Sequence, residues 1–475
     1  MEVKLISKEI IKPSSSTPPH LQTLRLCVLD QNAGLAHVPI ILYYPKRDAN
    51  FNINEKLINQ LKDSLSETLT LFYPLAGRVK DDGLSIDCND EGILFSTTRV
   101  NCDMAELLTA QPPDLLSLSR LLPYYVFVDP RDKVVQVAIQ LNIFACGGFV
   151  ISGLFMHKII DGATFVTFLK CWASNSITRS GISRSSHSLT QTTSASSSAV
   201  ATSEAILTYP GASIFSSKQP LPDSLSTFSE RMWLREGKGI MQRFVFDSEA
   251  ISTLKAKATS GRVPNPTRVE VISAFIWKHA MAASKMVWGM QQPSILSQQM
   301  DLRRRILVTS SSKYSVGNLL WKVVAHCDAV AEDEEIMSLN GLVGLLRDAI
   351  EKTRDDILPK LQQGDEGGDE ILSNFVQELR EICESKKNLN PYMFGSWCKL
   401  GFNEVDFGWG NPTWVSSVGS TRVDSKHKNN ICLIEVGLDD KIEAWLILDE
   451  REMAVLERDQ EFLEFASMNP PIILS

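Results

Sequence analysis

The first half of the chain alternates between helical and strand-like spacing of its hydrophobic residues. Over residues 56–71 the leucines recur every four positions, which places them on one face of a helix. The pattern ends at Tyr73-Pro74, because the residue before a proline disfavours the helical conformation. The sequence therefore predicts an amphipathic helix over 56–71. Its buried face is formed by Leu57, Leu61, Leu65 and Leu69.

Two strands and a second helix are predicted further along this half. Apolar and polar residues alternate over 135–143, which predicts a half-buried strand. After a turn at Gly147-Gly148, the apolar run 149–156 predicts a buried strand. Helical spacing resumes after Asp161-Gly162. The buried face of this helix is formed by Phe165, Phe168, Leu169 and Trp172.

The second half repeats the mixture of helices and strands. Thr267 and Glu270 have the spacing of a capping box, which predicts that a helix begins there. The apolar runs 431–436 and 442–448 flank a short polar segment, as the strands of a hairpin do. One closing helix is predicted from Met453, Leu456 and Leu463. Together these elements predict a mixed α/β (α+β) fold in two lobes of similar size.

The composition changes abruptly over residues 183–203, where hydroxyl side chains predominate and apolar residues are almost absent. Such a segment buries too little apolar surface to offset the entropy lost when it is ordered. Proline and serine continue this irregular character to residue 229. We therefore predict an N-terminal domain over 1–182, an exposed crossover over 183–229 and a C-terminal domain over 230–475.

Composition and charge exclude several classes of function. The 475-residue chain has a net charge of −8 and no dense basic stripe, so nucleic-acid binding is not expected. No segment approaches the roughly 18 consecutive apolar residues of a membrane span, and the N-terminus lacks the apolar core of a signal peptide. The nine cysteines lie far apart without a C-x-x-C pair, which argues against disulfides and a zinc site. We expect a cytoplasmic protein without a metal.

His157 and Asp161 form an H-x-x-x-D motif at the junction of a predicted strand and a predicted helix. Sequence signatures of zinc proteases, P-loop NTPases, Rossmann dehydrogenases and α/β-hydrolases are absent. Imidazole has an ordinary pKa near physiological pH, so His157 is a candidate general base. Asp161 either orients the imidazole or braces the turn by pairing with an arginine. The spacing of the motif leaves both roles open.

Residues 406–410 (DFGWG) form a second unusual motif. The two glycines permit a sharp turn of the backbone, while Phe407 and Trp409 are suited to anchoring the segment in a core. One interpretation is a structural loop lock, and the other is direct catalysis by Asp406.

These two motifs, about 250 residues apart, resemble the paired signatures of the plant BAHD acyl-CoA-dependent acyltransferases. Weaker motifs that fit the same family extend over nearly the whole chain. They are YPLAGR at 73–78, the segment 136–148 from Gln136-Val137 to Cys146-Gly147-Gly148, TRVE at 267–270, LRRR at 302–305, GNL at 317–319 and SWC at 396–398. Residues 38–45 and 396–410 resemble the branch that contains vinorine synthase and salutaridinol acetyltransferase.

The resemblance implies two similar-sized domains like chloramphenicol acetyltransferase, joined by a long crossover, with a channel between them and His157 at its centre. In that channel acyl-CoA, most often acetyl-CoA, meets a small-molecule alcohol, here a plant alkaloid or terpenoid, in a ternary complex. His157 is then the general base, and Asp161 points away from the substrate to an arginine. Asp406 is then structural and is expected to pair with one of arginines 303–305. A monomer without a metal or a tightly bound cofactor is implied, and no residue is assigned to CoA binding.

Two positions depart from the family pattern. Asp301 stands where an asparagine is usual, and Gly395 stands where a threonine is common. Without that threonine hydroxyl, the indole N–H of Trp397 is the candidate donor to the oxyanion of the reaction. Three alternatives remain open: transfer of a hydroxycinnamoyl or benzoyl group, hydrolysis in which the same histidine activates water, and a non-catalytic binding protein that keeps the fold.

Overall fold

The computed structural model of the chain describes most residues outside the predicted crossover. The described residues are 1–46, 53–110, 115–123, 135–180, 207–215, 222, 228, 231–232, 238–306, 315–328, 334–363, 367–386, 388–417, 428–437 and 440–472. Within the predicted crossover 183–229, the structure describes only residues 207–215, 222 and 228. The predicted domain boundaries therefore stay predictions.

The strands in the described part of the chain form sheets of six, seven and three strands. In chain order the strands are β1 (Val3–Ile11), β2 (Thr23–Arg25), β3 (His37–Tyr44), β4 (Arg78–Val79), β5 (Ser85–Asp87), β6 (Ile93–Val100), β7 (Val137–Phe144), β8 (Phe149–Met156), β9 (Gly239–Phe246), β10 (Ser294–Asp301), β11 (Leu320–Cys327), β12 (Asn390–Ser396), β13 (Trp414–Ser416), β14 (Asn430–Val436), β15 (Lys441–Asp449) and β16 (Ser467–Met468). The predicted mixed α/β class is confirmed.

Helices pack against these sheets. In chain order the α-helices of the described residues are α1 (Val28–Asn32), α2 (Glu55–Leu71), α3 (Met104–Thr109), α4 (Leu115–Leu118), α5 (Gly162–Ser180), α6 (Gly211–Ile214), α7 (Ser248–Ala258), α8 (Arg268–Trp288), α9 (Arg303–Ile306), α10 (Glu334–Met337), α11 (Leu339–Lys352), α12 (Leu358–Gln363), α13 (Gly368–Ser385), α14 (Glu450–Leu456) and α15 (Gln460–Phe465). Short 3₁₀ turns occupy Pro19–Leu21, Tyr73–Ala76, Ser119–Leu121 and Phe402–Glu404, and a π turn occupies Thr353–Ile357. In the described ranges, no helix is long and apolar enough to cross a membrane.

The first sheet has the strand order β1-β6-β7-β8-β3-β13 and packs against α2 and α5. Both helices were predicted, and the four apolar residues that define the inward face of α5 are buried as expected. Asn54 caps α2 by accepting a hydrogen bond from the backbone N–H of Leu57 at 3.0 Å. The indole N–H of Trp172 in α5 donates to the Leu61 carbonyl in α2 at 2.9 Å, which joins the two helices.

The prediction that residues 135–143 form a half-buried strand is wrong about burial. β7 is buried on both faces, because the segment around Leu121 covers the face that carries its polar side chains. The side-chain amides of Gln140 and Asn142 donate to the Leu121 carbonyl at 3.1 and 2.8 Å. These hydrogen bonds satisfy polar groups that would otherwise be costly to bury.

The second sheet has the strand order β11-β10-β12-β14-β15-β9-β16. The predicted hairpin is confirmed, since β14 and β15 pair in antiparallel register. The predicted capping box is also confirmed: Thr267 Oγ1 accepts from the Glu270 N–H at 3.2 Å, and the Glu270 carboxylate accepts from the Thr267 N–H at 2.8 Å. The prediction of a single closing helix is wrong. Two helices, α14 and α15, form instead, because Asp459 caps a new helix start by accepting from the Phe462 N–H at 3.2 Å.

A segment of the second half of the chain leaves the second sheet and joins the first. β13 pairs with β3, and Val405, Phe407 and Val415 are buried in the core beneath the first sheet. The Trp414 indole of β13 donates to the Glu443 carboxylate of β15 at 3.1 Å. Strand β13 thus links the two sheets near the region that carries both sequence motifs.

Candidate active site

The H-x-x-x-D motif lies in the turn between β8 and α5. The apolar run of β8 extends to Met156, and helix α5 begins at Gly162 with Asp161 as its cap, accepting from the Thr164 N–H at 2.9 Å. His157 is half-buried, whereas residues 158–161 are buried. The turn therefore places His157 at the edge of the core, less buried than the four residues that follow it.

The main chain of His157 is held on both sides. Its N–H donates to the Ala36 carbonyl at 3.0 Å, and its carbonyl accepts from the Asn318 side-chain amide at 2.8 Å. The ring atom Nδ1 is buried and has no hydrogen-bond partner among the described residues. The backbone of His157 is thus fixed, and Asp161 does not orient its imidazole by a hydrogen bond.

Asp161 forms a buried ion pair with Arg303, at 2.6 Å between Oδ2 and a guanidinium nitrogen. The same carboxylate accepts from the backbone N–H groups of Thr164 and Leu319 at 2.9 and 3.1 Å. Burial raises the pKa of Asp161, but Arg303 and these hydrogen bonds outweigh burial and hold the pKa below its ordinary value of 3.8. Asp161 is therefore an ionised carboxylate directed into the protein.

Arg303 fastens the turn to residues 315–319 of the second half of the chain. Its guanidinium also donates to the carbonyl of Gly317 at 2.7 Å and to the hydroxyls of Ser315 and Thr164 at 2.8 and 3.0 Å. The Gly317 N–H donates in turn to the Ile159 carbonyl at 3.1 Å. The candidate site is thus assembled from residues of both halves.

In the DFGWG segment, Asp406 closes a local turn. One of its carboxylate oxygens accepts from the N–H groups of Gly408 and Gly410 at 2.7 and 2.8 Å. Both glycines have positive φ, +104° and +98°, a conformation that residues with a Cβ rarely adopt. In the described part of the chain, Asp406 makes no ion pair with arginines 303–305, so the pairing expected from the resemblance is wrong. Arg303 is bound to Asp161 instead, and Arg305 donates to the Asp301 carbonyl at 2.8 Å.

The two aromatic residues of DFGWG pack in the core beneath the first sheet. Phe407 is buried and stacks on Trp409, with ring centroids 5.3 Å apart. Phe407 also meets Trp172 of α5 edge-on at 4.8 Å, and Trp409 meets Phe149 of β8 at 5.0 Å. These rings therefore support the strand and the helix that flank His157.

Trp397 reaches the same region from the second sheet. It follows β12, and its backbone N–H donates to the Leu433 carbonyl at 2.8 Å. Its indole lies beside the first residue of α5: a Cβ placed on Gly162 would be 3.8 Å from the indole nitrogen. Trp397 therefore lies close to the turn that carries His157.

Sequence reasoning missed a second group of buried polar residues next to the turn. Asp30, in the short helix α1, is fully buried and accepts hydrogen bonds from Asn318 and Tyr209. Asn318 lies within the GNL motif at 317–319, but no role could be predicted for its side chain. Asp30 carried no signal in a single sequence. In the described residues there is no cluster of ligands that could hold a metal ion.

The chain is similar to known proteins over nearly its whole length. The chain matches the transferase family over residues 1–463. It is 36% identical to epi-neemfruitin B 7-O-acetyltransferase of Melia azedarach, over 99% of each chain. It is 33% identical to akuammiline synthase 2 of Alstonia scholaris, over 100% of this chain and 99% of that protein. The crystal structure of vinorine synthase matches with a TM-score of 0.74 and 28% identity, over 98% of each chain.

The chain therefore belongs to the BAHD acyltransferases, as the sequence motifs indicated. It is an acyltransferase with the two-domain, chloramphenicol-acetyltransferase-like fold of that family, which uses acyl-CoA as co-substrate and a small-molecule acceptor.

Asp161→Asn tests the contribution of the buried ion pair to stability. The variant leaves the buried Arg303 charge paired only with the more exposed carboxylate of Asp301 at 3.3 Å, so we expect a loss of about 3 kcal/mol at pH 7, the lower end of the range for a broken buried ion pair. Because the pKa of Asp161 is lowered in the folded protein, the stabilisation is complete only well above the ordinary pKa of 3.8, and it is lost as the pH falls from there through the lowered pKa. Urea unfolding should therefore show the gap between wild type and variant closing at acid pH. A gap that is constant from pH 7 to pH 3 would contradict the assignment, and the exposed Asp63→Asn is the matched control.

Asp406→Ala tests whether DFGWG is a structural lock. The change removes the acceptor of two backbone N–H groups, so we expect a loss of about 1–3 kcal/mol of stability. Turnover per folded molecule should change little, and Asp406→Asn should restore stability because it keeps a carbonyl oxygen. A variant that is as stable as wild type but inactive would instead identify Asp406 as catalytic. Thermal unfolding and an acyl-transfer assay provide the two readouts.

Proposed function

We propose that this enzyme transfers an acetyl group from acetyl-CoA to a hydroxyl of a plant alkaloid or terpenoid. The names of its relatives support this proposal, since one is a 7-O-acetyltransferase and others include a limonoid 7-O-acetyltransferase and a stemmadenine O-acetyltransferase. These names cover both terpenoid and alkaloid acceptors, so the proposal includes both classes. A cytoplasmic, monomeric enzyme with a channel between its two domains stays part of the proposal.

The half-buried His157, with its main chain fixed between both halves of the protein, is the observation that carries the mechanism. An alcohol is a weak nucleophile toward a thioester because it hardly ionises at neutral pH. Neutral imidazole within hydrogen-bond reach accepts the hydroxyl proton as the oxygen attacks the acyl carbonyl carbon. In the first step the bond between the alcohol oxygen and the acyl carbon forms, and the carbonyl electrons move onto oxygen to give a tetrahedral intermediate with an oxyanion. In the second step this intermediate collapses, and the carbon–sulfur bond to CoA breaks. The CoA thiolate recovers the proton from His157, so no acyl-enzyme is required and the two substrates react in a ternary complex.

Asp161 serves in this proposal as a brace for the turn. Its two oxygens are occupied by Arg303, Thr164 and Leu319, and no hydrogen bond joins it to the imidazole. This geometry supports bracing over the alternative of orienting the ring. Asp406 is likewise assigned a structural role, because its carboxylate closes the DFGWG turn.

Trp397 is the proposed donor to the oxyanion. Its indole nitrogen lies near the start of α5, beside the turn that carries His157, which supports this role. A donor that meets negative charge only as it develops lowers the barrier of the reaction more than it strengthens substrate binding.

His157→Ala should abolish most turnover and leave the fold and CoA binding intact, because it removes the proton acceptor and little of the core. We expect kcat to fall by about 10²–10⁴-fold, measured by mass spectrometry of acetylated product with a panel of acyl-CoAs and hydroxylated limonoids and alkaloids. Calorimetric titration with CoA checks binding. The exposed His20→Ala is the control. Turnover within a few-fold of wild type in His157→Ala would falsify the role of general base.

Trp397→Phe keeps an aromatic ring and removes the indole N–H. If that group stabilises the oxyanion, kcat should fall by about 10²–10³-fold while KM for acetyl-CoA changes little. Trp288→Phe, at the exposed end of α8, is the matched control. An unchanged kcat in Trp397→Phe would assign the oxyanion donor to another group.

A further inference from the structure

A buried carboxylate lies directly behind the turn that carries His157. Asp30 has no exposed surface, and its two oxygens accept hydrogen bonds from four donors. One oxygen accepts from the Asn318 N–H at 2.7 Å and from its side-chain amide at 2.8 Å. The other accepts from the Cys27 thiol at 3.0 Å and from the Tyr209 hydroxyl. A buried carboxylate is tolerated when donors satisfy its oxygens in this way.

The donors converge from three distant parts of the chain. Cys27 and Asp30 lie at helix α1, Tyr209 lies far along the chain, and Asn318 follows later still. The Tyr209 oxygen also accepts from the Cys27 N–H at 2.5 Å, which closes the cluster. Asp30 is thus surrounded by donors only when these three segments are correctly placed.

Asn318 connects this cluster to the main chain of His157. Its side-chain nitrogen donates both to Asp30 at 2.8 Å and to the His157 carbonyl at 2.8 Å. Both partners are acceptors, so the amide nitrogen, and not the amide oxygen, must face them. Asp30 therefore fixes the side chain that fixes the His157 carbonyl.

The neighbouring residue is fastened to the same helix. The Lys158 ammonium donates to the Gln31 carbonyl at 2.7 Å, and Lys158 is almost fully buried. Two consecutive residues of the turn are therefore held from α1, one directly and one through Asn318. The position of His157 depends on α1 as well as on the Asp161–Arg303 ion pair.

We propose that Asn318 and Asp30 are positioning residues for His157, acting through its main-chain carbonyl. The inference rests on the proposed role of His157 as general base. Proton transfer requires the imidazole to lie within hydrogen-bond reach of the acceptor hydroxyl, and a displacement of about 1 Å costs as much as 10²-fold in rate. Loss of the positioning bond should therefore lower kcat without weakening CoA binding.

Asn318→Ala removes the bond to His157 and keeps the backbone N–H that binds Asp30. We expect kcat to fall by about 10–100-fold with KM for acetyl-CoA within about two-fold of wild type. The control is Asn32→Ala, the same substitution in α1, where the side chain donates only to the nearby Val28 carbonyl at 2.9 Å. Equal kcat in wild type and Asn318→Ala would overturn the proposal, as would equal losses in Asn318→Ala and Asn32→Ala.

A second pair of variants separates positioning from general loss of stability. Asp30→Asn keeps one carbonyl oxygen for the Asn318 donors, and its new amide can face the Tyr209 hydroxyl, which accepts as well as donates. Asp30→Asn should therefore retain most of the turnover that Asp30→Ala loses, whatever their melting temperatures. If turnover in the two variants instead follows their melting temperatures, Asp30 is only structural and the proposal fails.

The outcome for His157→Ala, assayed in parallel, distinguishes the two levels of inference. If His157→Ala is inactive and Asn318→Ala is fully active, the proposed function stands and the positioning role is wrong. If His157→Ala is itself active, the general-base mechanism is wrong, and the positioning role falls with it.

Discussion

The buried ion pair of Asp161 and Arg303 is the interaction on which the geometry of the candidate site depends. Removing two charges from water costs several kcal/mol per ion, so the pair is stable only where other groups complete its hydrogen bonds. Here those groups are the start of α5 and the loop around Gly317, which belong to different halves of the chain. The turn that carries His157 therefore takes its shape only when both halves are folded together.

Hydrophobic contacts reinforce the same dependence. Phe407 and Trp409 come from the second half of the chain, yet they pack against β8 and α5, the two elements that flank the turn. β13 extends the first sheet, and its Trp414 binds Glu443 of the second sheet, which is itself paired with the buried Arg243. An H-x-x-x-D motif, held by an ion pair, and a DFGWG motif, held by aromatic packing, thus lie in one region although about 250 residues separate them.

Elements set by local spacing could be predicted, whereas contacts between distant segments could not. Helix α2, the capping box at Thr267 and the hairpin of β14 and β15 follow from residues within one short window. The burial of both faces of β7 depends on a separate segment around Leu121, so its alternating pattern was misleading. The partner of Arg303 and the Asp30–Asn318 bond join residues more than 140 positions apart, and spacing in a single sequence carries no information on such pairs. The family resemblance implied that Asp161 points to an arginine, which Arg303 satisfies, but it wrongly paired Asp406 with an arginine.

In the proposed mechanism the acyl group passes directly from CoA to the alcohol, with His157 moving the proton. Rapid mixing of the enzyme with acetyl-CoA, first without an acceptor and then with an alcohol that the enzyme acetylates, measures this directly through the release of free CoA. Direct transfer predicts no release at the rate of turnover until the alcohol is present. A burst of one equivalent of CoA per enzyme without acceptor would reveal an acyl-enzyme, and continuous release would reveal hydrolysis; either result would contradict the mechanism.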